Sequence, residues 1–428
     1  MKRASELRRA VAAKLKSGVA GRLAWSMAAA IAARLGLLAL AVMIGRQFGP
    51  ADYGAFTFAT SVALLAAQIS VLGWPMLMNR LIPEMLRDKD WDALRGLRDA
   101  GDAVVIGCSL AGAGLLLGLS QLDGAFGESF LLAALLTVPM AIAILRRQQL
   151  AALRRPAIGL LFDQGFGALA AALFLFVAGA GTLLGAVAVF AAGMVLGNLV
   201  TFIQVRRLLP PDVSTATRKV AFRLWMGMAL PMLLGMSSRL LMNKMDILML
   251  APLSNFHESG LYGAAFRITF LLTFPQVVMM SVVTPLISEA FAHDRHERIS
   301  RLIRWAMIFA GITAIPPGLL LIAFPEFVLS TLFGAEFAPA APSLVLLAIG
   351  QTVASLAIPL SALLTMGGRE KHYGALNLAG LVLHAMLNIV LIPPFGATGA
   401  AMSTATVYSL LALGQLAINR KFVVGKSR

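Results

Sequence analysis

Apolar residues run along this chain in blocks of about 20, the length an α-helix needs to cross the hydrocarbon core of a bilayer. Twelve such blocks can be read, at 25–45, 56–78, 102–120, 130–150, 158–178, 183–203, 224–250, 261–284, 302–324, 343–365, 374–392 and 397–418, separated by short polar connections. Pro75, Pro139, Pro231, Pro275 and Pro359 fall inside blocks. A membrane tolerates such prolines where neighbouring helices satisfy the freed carbonyls. The pattern predicts an all-α integral membrane protein with twelve transmembrane helices.

Composition narrows this further. Of the 428 residues, 59% are hydrophobic and only 13% charged, yet the net charge is +16. A soluble nucleic-acid binder or a disordered basic chain would be far less apolar, so nucleic acid is not an expected partner. The position of the cations explains the excess. Of 36 Lys and Arg, 31 lie in the two termini, the even-numbered connections and the block ends adjoining them, and Arg46 alone lies in an odd-numbered one. The positive-inside rule then puts both termini in the cytoplasm. Segment 1–24 is not a cleaved signal, because the apolar block after it is a full span with no small-residue cleavage site. Its Leu7, Val11, Leu15 and Val19 recur every four residues. Either a helix lying on anionic headgroups or a plain topology anchor accounts for that. The one cysteine, Cys108, excludes an intramolecular disulfide and a Cys-based zinc site.

The twelve blocks divide into two sets of six. Arg34, Asp52-Tyr53-Gly54-Ala55 and Leu81-Ile82-Pro83-Glu84 have counterparts in Arg239, Leu261-Tyr262-Gly263-Ala264 and Leu286-Ile287-Ser288-Glu289. In each half 50 residues separate the Arg from the Glu. The expected organisation is a basic segment 1–24, a six-helix bundle 25–203, a cytoplasmic linker 204–223, a second bundle 224–418 and a basic tail 419–428. Parallel repeats of this kind leave a cleft that can rock open to either side, which is transporter logic.

Four cations remain inside the blocks away from their cytoplasmic ends: Arg34, Arg239, Lys244 and Arg267. Each costs about 2.5–3.5 kcal/mol at a helix centre, so each needs a partner, a wet cavity or a function. Arg239, Asn243 and Asp246 share one helix face within about 60°. Asp246 is the clear central acid, since Asp102 and Asp163 sit near cytoplasmic ends. Two readings stay open. Arg34 or Arg239 pairs with Asp246, or the cations line a cavity for an anion, whose phosphate oxygens an Arg fork matches. Asn377, His384 and Asn388 form a second stripe, within about 40°, that suits either interhelical glue or a polar lumen with a protonatable His384. Gly114/Gly118 and Gly193/Gly197 predict close helix packing.

Enzyme chemistry finds no support. Gly425-Lys426-Ser427 resembles the end of a P-loop, but Arg420 stands where the first glycine belongs and no strand precedes it. No metal-ligand cluster and no cofactor motif is present in the sequence. The outer connections are too short for a catalytic domain.

The sequence resembles the lipid-linked oligosaccharide flippases, the Wzx-type polysaccharide biosynthesis proteins, whose superfamily also holds multidrug and toxin extruders and is MATE-like in fold. The resemblance runs through Phe48-Gly49-Pro50-Ala51-Asp52-Tyr53-Gly54 and Leu72-Gly73 to Glu84, then Leu332-Phe333-Gly334-Ala335-Glu336-Phe337 with Ala340-Ala341-Pro342. It is similar again from Asn377 through Asn388 and Leu391-Ile392-Pro393 to Gly396-Ala397-Thr398-Gly399. It implies transfer of a polyprenyl-diphosphate-linked glycan across a bacterial inner membrane by alternating access. Membrane lipids, a polysaccharide polymerase and glycosyltransferases would be partners. A drug or cation antiporter of the same superfamily would want carboxylates in its cavity, and the first two blocks contain none. A non-transporting scaffold of a glycan-assembly complex would not need deep arginines. A peptidoglycan-precursor flippase, by the same resemblance, would have fourteen spans.

Overall fold

A computed structural model describes residues 19–122, 124–179 and 181–420, with the side chains of 19–20, 22–24, 234–239 and 281 left outside the description. Most of segment 1–24, the end of the basic tail and the Arg239 side chain therefore lie outside the described residues. Every regular element among the described residues is helical. In chain order the main helices are α1 (Val19–Ser70), α2 (Trp74–Asp88), α3 (Trp91–Leu119), α4 (Ala125–Ala152), α5 (Pro156–Leu160), α6 (Phe166–Ala178) and α7 (Leu183–Leu208). The second half continues with α8 (Phe222–Leu253), α9 (Phe256–Thr269), α10 (Phe274–Ala292), α11 (His296–Ala323), α12 (Pro325–Phe333), α13 (Ala341–Met366) and α14 (Glu370–Ile418). Among the described residues, nine helical stretches are long and apolar enough to cross a membrane.

Two of those stretches, in α1 and α14, run to 46 and 49 residues, well beyond a single crossing. Each breaks at one glycine. Gly49 has φ 76° and ψ −177°, a region that essentially only glycine enters, and Pro50 restarts the helix without needing an N–H partner. In α14 the break is Gly396, and Glu258 of α9 accepts the Ala397 N–H at 2.7 Å, satisfying a donor that the restarting helix leaves free.

Two apolar blocks are interrupted where the sequence predicts one continuous span. The block 56–78 ends as helix at Ser70, turns through Leu72 and Gly73 at positive φ, and resumes at Trp74-Pro75. The block 261–284 is divided by a 3₁₀ turn at Phe270–Leu272 before Phe274-Pro275. In both places proline opens a new helix, where its missing N–H costs nothing, instead of kinking an old one.

The chain divides into two compact units. The first holds the chain up to Ile44 together with Ala59–Ser237, and the second holds Gly45–Phe58 with Ser238–Arg428. In the first unit a Cβ on Gly193 would stand 2.7 Å from the Gly167 Cα, and one on Gly197 would stand 2.9 Å from the Phe162 carbonyl oxygen. These glycines let α7 approach α6 and the turn before it. Gly114 and Gly118 behave otherwise. Among the described residues nothing lies within 4 Å of a Cβ at either position, so that pair packs against none of the described helices. Spacing alone cannot separate the cases, because it leaves unsaid which face of a helix meets a neighbour. In the second unit Ile287, Ile303, Leu360 and Leu363 form part of the apolar core shared by α10, α11 and α13.

Candidate functional site

The second unit is built around Asp246. α8 carries it on a buried face, and it is the buried carboxylate among the described residues. Its Oδ1 accepts from Asn388 Nδ2 at 2.9 Å and lies 2.8 Å from His384 Nε2. Its Oδ2 accepts from the Tyr262 hydroxyl at 2.6 Å and from Thr404 Oγ1 at 2.9 Å. His384 and Asn388 are four residues apart in the first half of α14, hence on one face, and Thr404 comes back beside them from beyond the Gly396 break. Tyr262 enters from α9. One turn along α8, Asn243 accepts from the Tyr408 hydroxyl at 3.4 Å.

Four donors from three helical segments thus close one carboxylate. Among the described residues, the donors placed on both oxygens come from α9 and α14, and the Arg239 side chain of the expected pairing lies outside the description. A buried charge without such partners would be costly, and these hydrogen bonds offset the burial of the carboxylate. His384 is fully buried, and among the described residues its Nδ1 has no hydrogen-bond partner; the same holds for Asn388 Oδ1. With Nε2 turned to Asp246, the free Nδ1 is the position where the ring can gain or lose a proton. Among the described residues no group of three or more His, Cys, Asp and Glu is placed to hold a metal ion. Asn377, although on the same helix face, turns its amide back onto the Tyr373 carbonyl at 2.7 Å and does not join the cluster.

The interior cations fall into two places. In the second unit Lys244, on α8, has Arg267 of α9 as its charged neighbour. Arg267 also lies beside the buried Tyr53 hydroxyl. In the first unit Arg34 is half-buried on α1, within electrostatic reach of Arg147. Arg147 itself donates to Asp163 at 2.7 Å, and Asp163 sits on a π turn, Leu161–Gly165, between α5 and α6. Asp102 pairs with Arg146 at 3.0 Å. Both acids near block ends therefore meet cations from α4.

Sequence reasoning missed Tyr262, Thr404 and Arg147. Tyr262 was visible only as part of the Tyr-Gly repeat. Thr404 is one threonine among many small residues. Arg147 counts among the topology-setting cations until the fold turns it toward Arg34.

Residues 231–390 match the MatE family. Over 166 residues the chain is 23% identical to the probable low-salt glycan biosynthesis flippase Agl15 of Haloferax volcanii, covering 39% of this chain and 35% of that protein. Over 221 residues it is 22% identical to an uncharacterized membrane protein of Methanocaldococcus jannaschii, covering 50% and 43%. The chain thus spans less than half the length of the curated relatives it matches. Among solved structures, an inward-facing multidrug resistance MATE family transporter of the MOP superfamily superimposes with a TM-score of 0.73 at 15% identity, over 91% of this chain and 94% of the other. The lipid II flippase MurJ in an inward closed conformation gives 0.71 at 11% identity, over 92% and 87%. At such identities the likeness establishes the fold: this is a multi-pass, all-helical membrane protein of MATE-like fold, carrying a MatE family domain over residues 231–390.

Proposed function

We propose that the chain is a transporter, not an enzyme, and that it flips a polyprenyl-diphosphate-linked oligosaccharide from the cytoplasmic to the outer leaflet of a bacterial inner membrane, supplying surface polysaccharide assembly. In this reading α1 and α14 each cross twice, the chain crosses twelve times, and both termini are cytoplasmic. The two halves act as six-helix bundles, and Arg34, Arg239, Lys244 and Arg267 receive the diphosphate and acidic sugars while the polyprenyl tail stays in lipid. Glycosyltransferases would make the cargo and a polymerase would use it.

The observation that carries this reading is a contrast of charge. Lys244 has a second cation, Arg267, as its charged neighbour, whereas Asp246 has both oxygens filled by protein donors. A cationic drug would find repulsion at the first place and no free carboxylate at the second. An anion would find the reverse. The name of the Haloferax relative, a glycan biosynthesis flippase, points the same way.

Two sources of drive fit. An inside-negative potential favours outward movement of an anion by about 2.3 kcal/mol per charge per 100 mV. The Asp246–His384 pair with its free Nδ1 supports proton coupling as the second source.

Full-length protein in proteoliposomes, loaded with a fluorescent polyprenyl-diphosphate oligosaccharide, should move the probe between leaflets faster than empty vesicles do. Arg267→Ala with Lys244→Ala should abolish that movement at unchanged protein incorporation. Undiminished movement in the double variant, or transport of a cationic dye in place of the lipid-linked probe, would refute the reading. Clamping the potential with valinomycin while varying the pH gradient separates the drives. If protons drive the cycle, His384→Gln removes the response to pH and leaves the response to potential.

A further inference from the structure

Arg46 is the one cation that the charge pattern places on the outer side, and the proposed transport does not use it. Its surroundings join two stretches that carry the family resemblance separately, Phe48–Gly54 and Leu332–Phe337. Arg46 Nε donates to the Leu332 carbonyl at 2.9 Å, and a second guanidinium nitrogen donates to the Thr331 carbonyl. These are among the last carbonyls of α12, which an ending helix leaves without internal partners. A Cβ on Gly45 would stand 2.7 Å from the Phe333 ring, and one on Gly49 would stand 2.8 Å from Glu336 Oε2. The Tyr53 ring is fully buried, with centroids 5.5 Å from Phe333 and 5.9 Å from Phe337. Beyond Tyr53 the chain crosses α9 backbone on backbone: a Cβ on Gly54 would overlap the Phe256 carbonyl, and one on Gly260 would overlap the Pro50 carbonyl.

We propose that residues 45–58 are a latch, docked here on the second unit, that undocks once in each transport cycle, with Tyr53 reporting the occupancy of the cationic site to it. The proposal rests on the transporter reading of the fold and not on the identity of the cargo.

Three features suit a contact that opens. Arg46, Thr331 and Glu336 are all exposed, so their polar groups can exchange protein partners for water at small net cost. At Gly54 and Gly260 the nearest atoms are backbone, so this crossing adds no interdigitated side chain of its own. The aromatic cage around Tyr53 then acts as the discrete docked state, a packed arrangement that is either made or lost and does not deform gradually. The link to cargo is short. Arg267 lies beside the Tyr53 hydroxyl on one side and has Lys244 as its charged neighbour on the other. An anion drawing Arg267 toward itself changes what the Tyr53 hydroxyl faces, and a ligand can shift a two-state element only through such a difference in contacts.

The test uses full-length protein in proteoliposomes with Cys108→Ser as background. Ala55→Cys, 9% exposed in the docked state, is labelled from outside with a membrane-impermeant maleimide. Adding Arg46→Gln should raise the labelling rate about fivefold, the size expected for loss of one solvent-exposed hydrogen bond of ordinary net strength. In a separate variant, Arg46→Cys with Thr331→Cys is bridged by a short bis-thiosulfonate. The bridge should slow transport by at least about tenfold and reductant should restore it, as expected for a gating step. Restoration also shows that the variant is folded. Geranyl diphosphate should change Ala55→Cys labelling in the parent but not when Tyr53→Phe is added. Labelling indifferent to Arg46→Gln, or transport indifferent to a verified bridge, overturns the latch. A diphosphate response that survives Tyr53→Phe overturns the role of Tyr53. The labelling readout needs no lipid-linked cargo, so it stands or falls separately from the glycan assignment.

Discussion

Asp246 sits in a constellation where removing the charge and removing one donor have different consequences. Asp246→Asn keeps one acceptor oxygen and turns an NH₂ toward donors, stranding buried groups at about 1–3 kcal/mol each. Tyr262→Phe removes a single donor while conserving the ring, and Thr404 still occupies Oδ2. The purified Asn variant should therefore melt well below the Phe variant in detergent, with the Phe variant about 1 kcal/mol below the parent. Equal melting of the two would mean that the carboxylate is not what the four donors hold. At this scale the sequence exposed half of the cluster. Asp246, His384 and Asn388 stand out because ionisable and amide side chains are conspicuous in apolar blocks. Tyr262 and Thr404 do not, because hydroxyl groups are common in spans and most simply bond back to their own helix, as Thr269 and Ser355 do here.

Helix contacts are decided at the level of the element, and the glycines show how. Gly193→Val would drive two methyls into the Gly167 backbone, an overpacking that costs about 1–3 kcal/mol. Gly114→Val has the same spacing motif but meets nothing within 4 Å, and should be neutral within about 0.5 kcal/mol. Thermal stability and folded yield of the two variants check this directly; parallel losses in both would mean that α3 is packed where the structure leaves it open. The breaks at Gly49, Gly73 and Gly396 belong to the same scale. Apolar blocks show where chain can lie in a membrane, whereas a break depends on backbone torsions and on a partner such as Glu258 that waits elsewhere in the fold.

The whole molecule is governed by where its charges may go. A reporter active only in the cytoplasm should be active when fused after Thr215 or after Met366, and inactive when fused after Gly179 or after Leu253. The reverse pattern at any one of these sites would break the twelve-crossing topology. That prediction needs only the sequence, because the free energy of leaving 31 cations on one side is a sum over residues and does not depend on how helices pack.

The sequence by itself thus determined that this is a helical membrane protein, which stretches are apolar enough to span, and which few charged residues need an explanation. Those properties follow from transfer of each segment between water and lipid, which is local and additive. Only the tertiary structure decided that Asp246 meets His384, Tyr262, Asn388 and Thr404, and that Lys244 neighbours Arg267. It also decided that residues 45–58 dock with the second unit. Those outcomes depend on which faces of distant helices come into contact, and lipid, being as apolar as the helices themselves, leaves that choice to packing and hydrogen bonds.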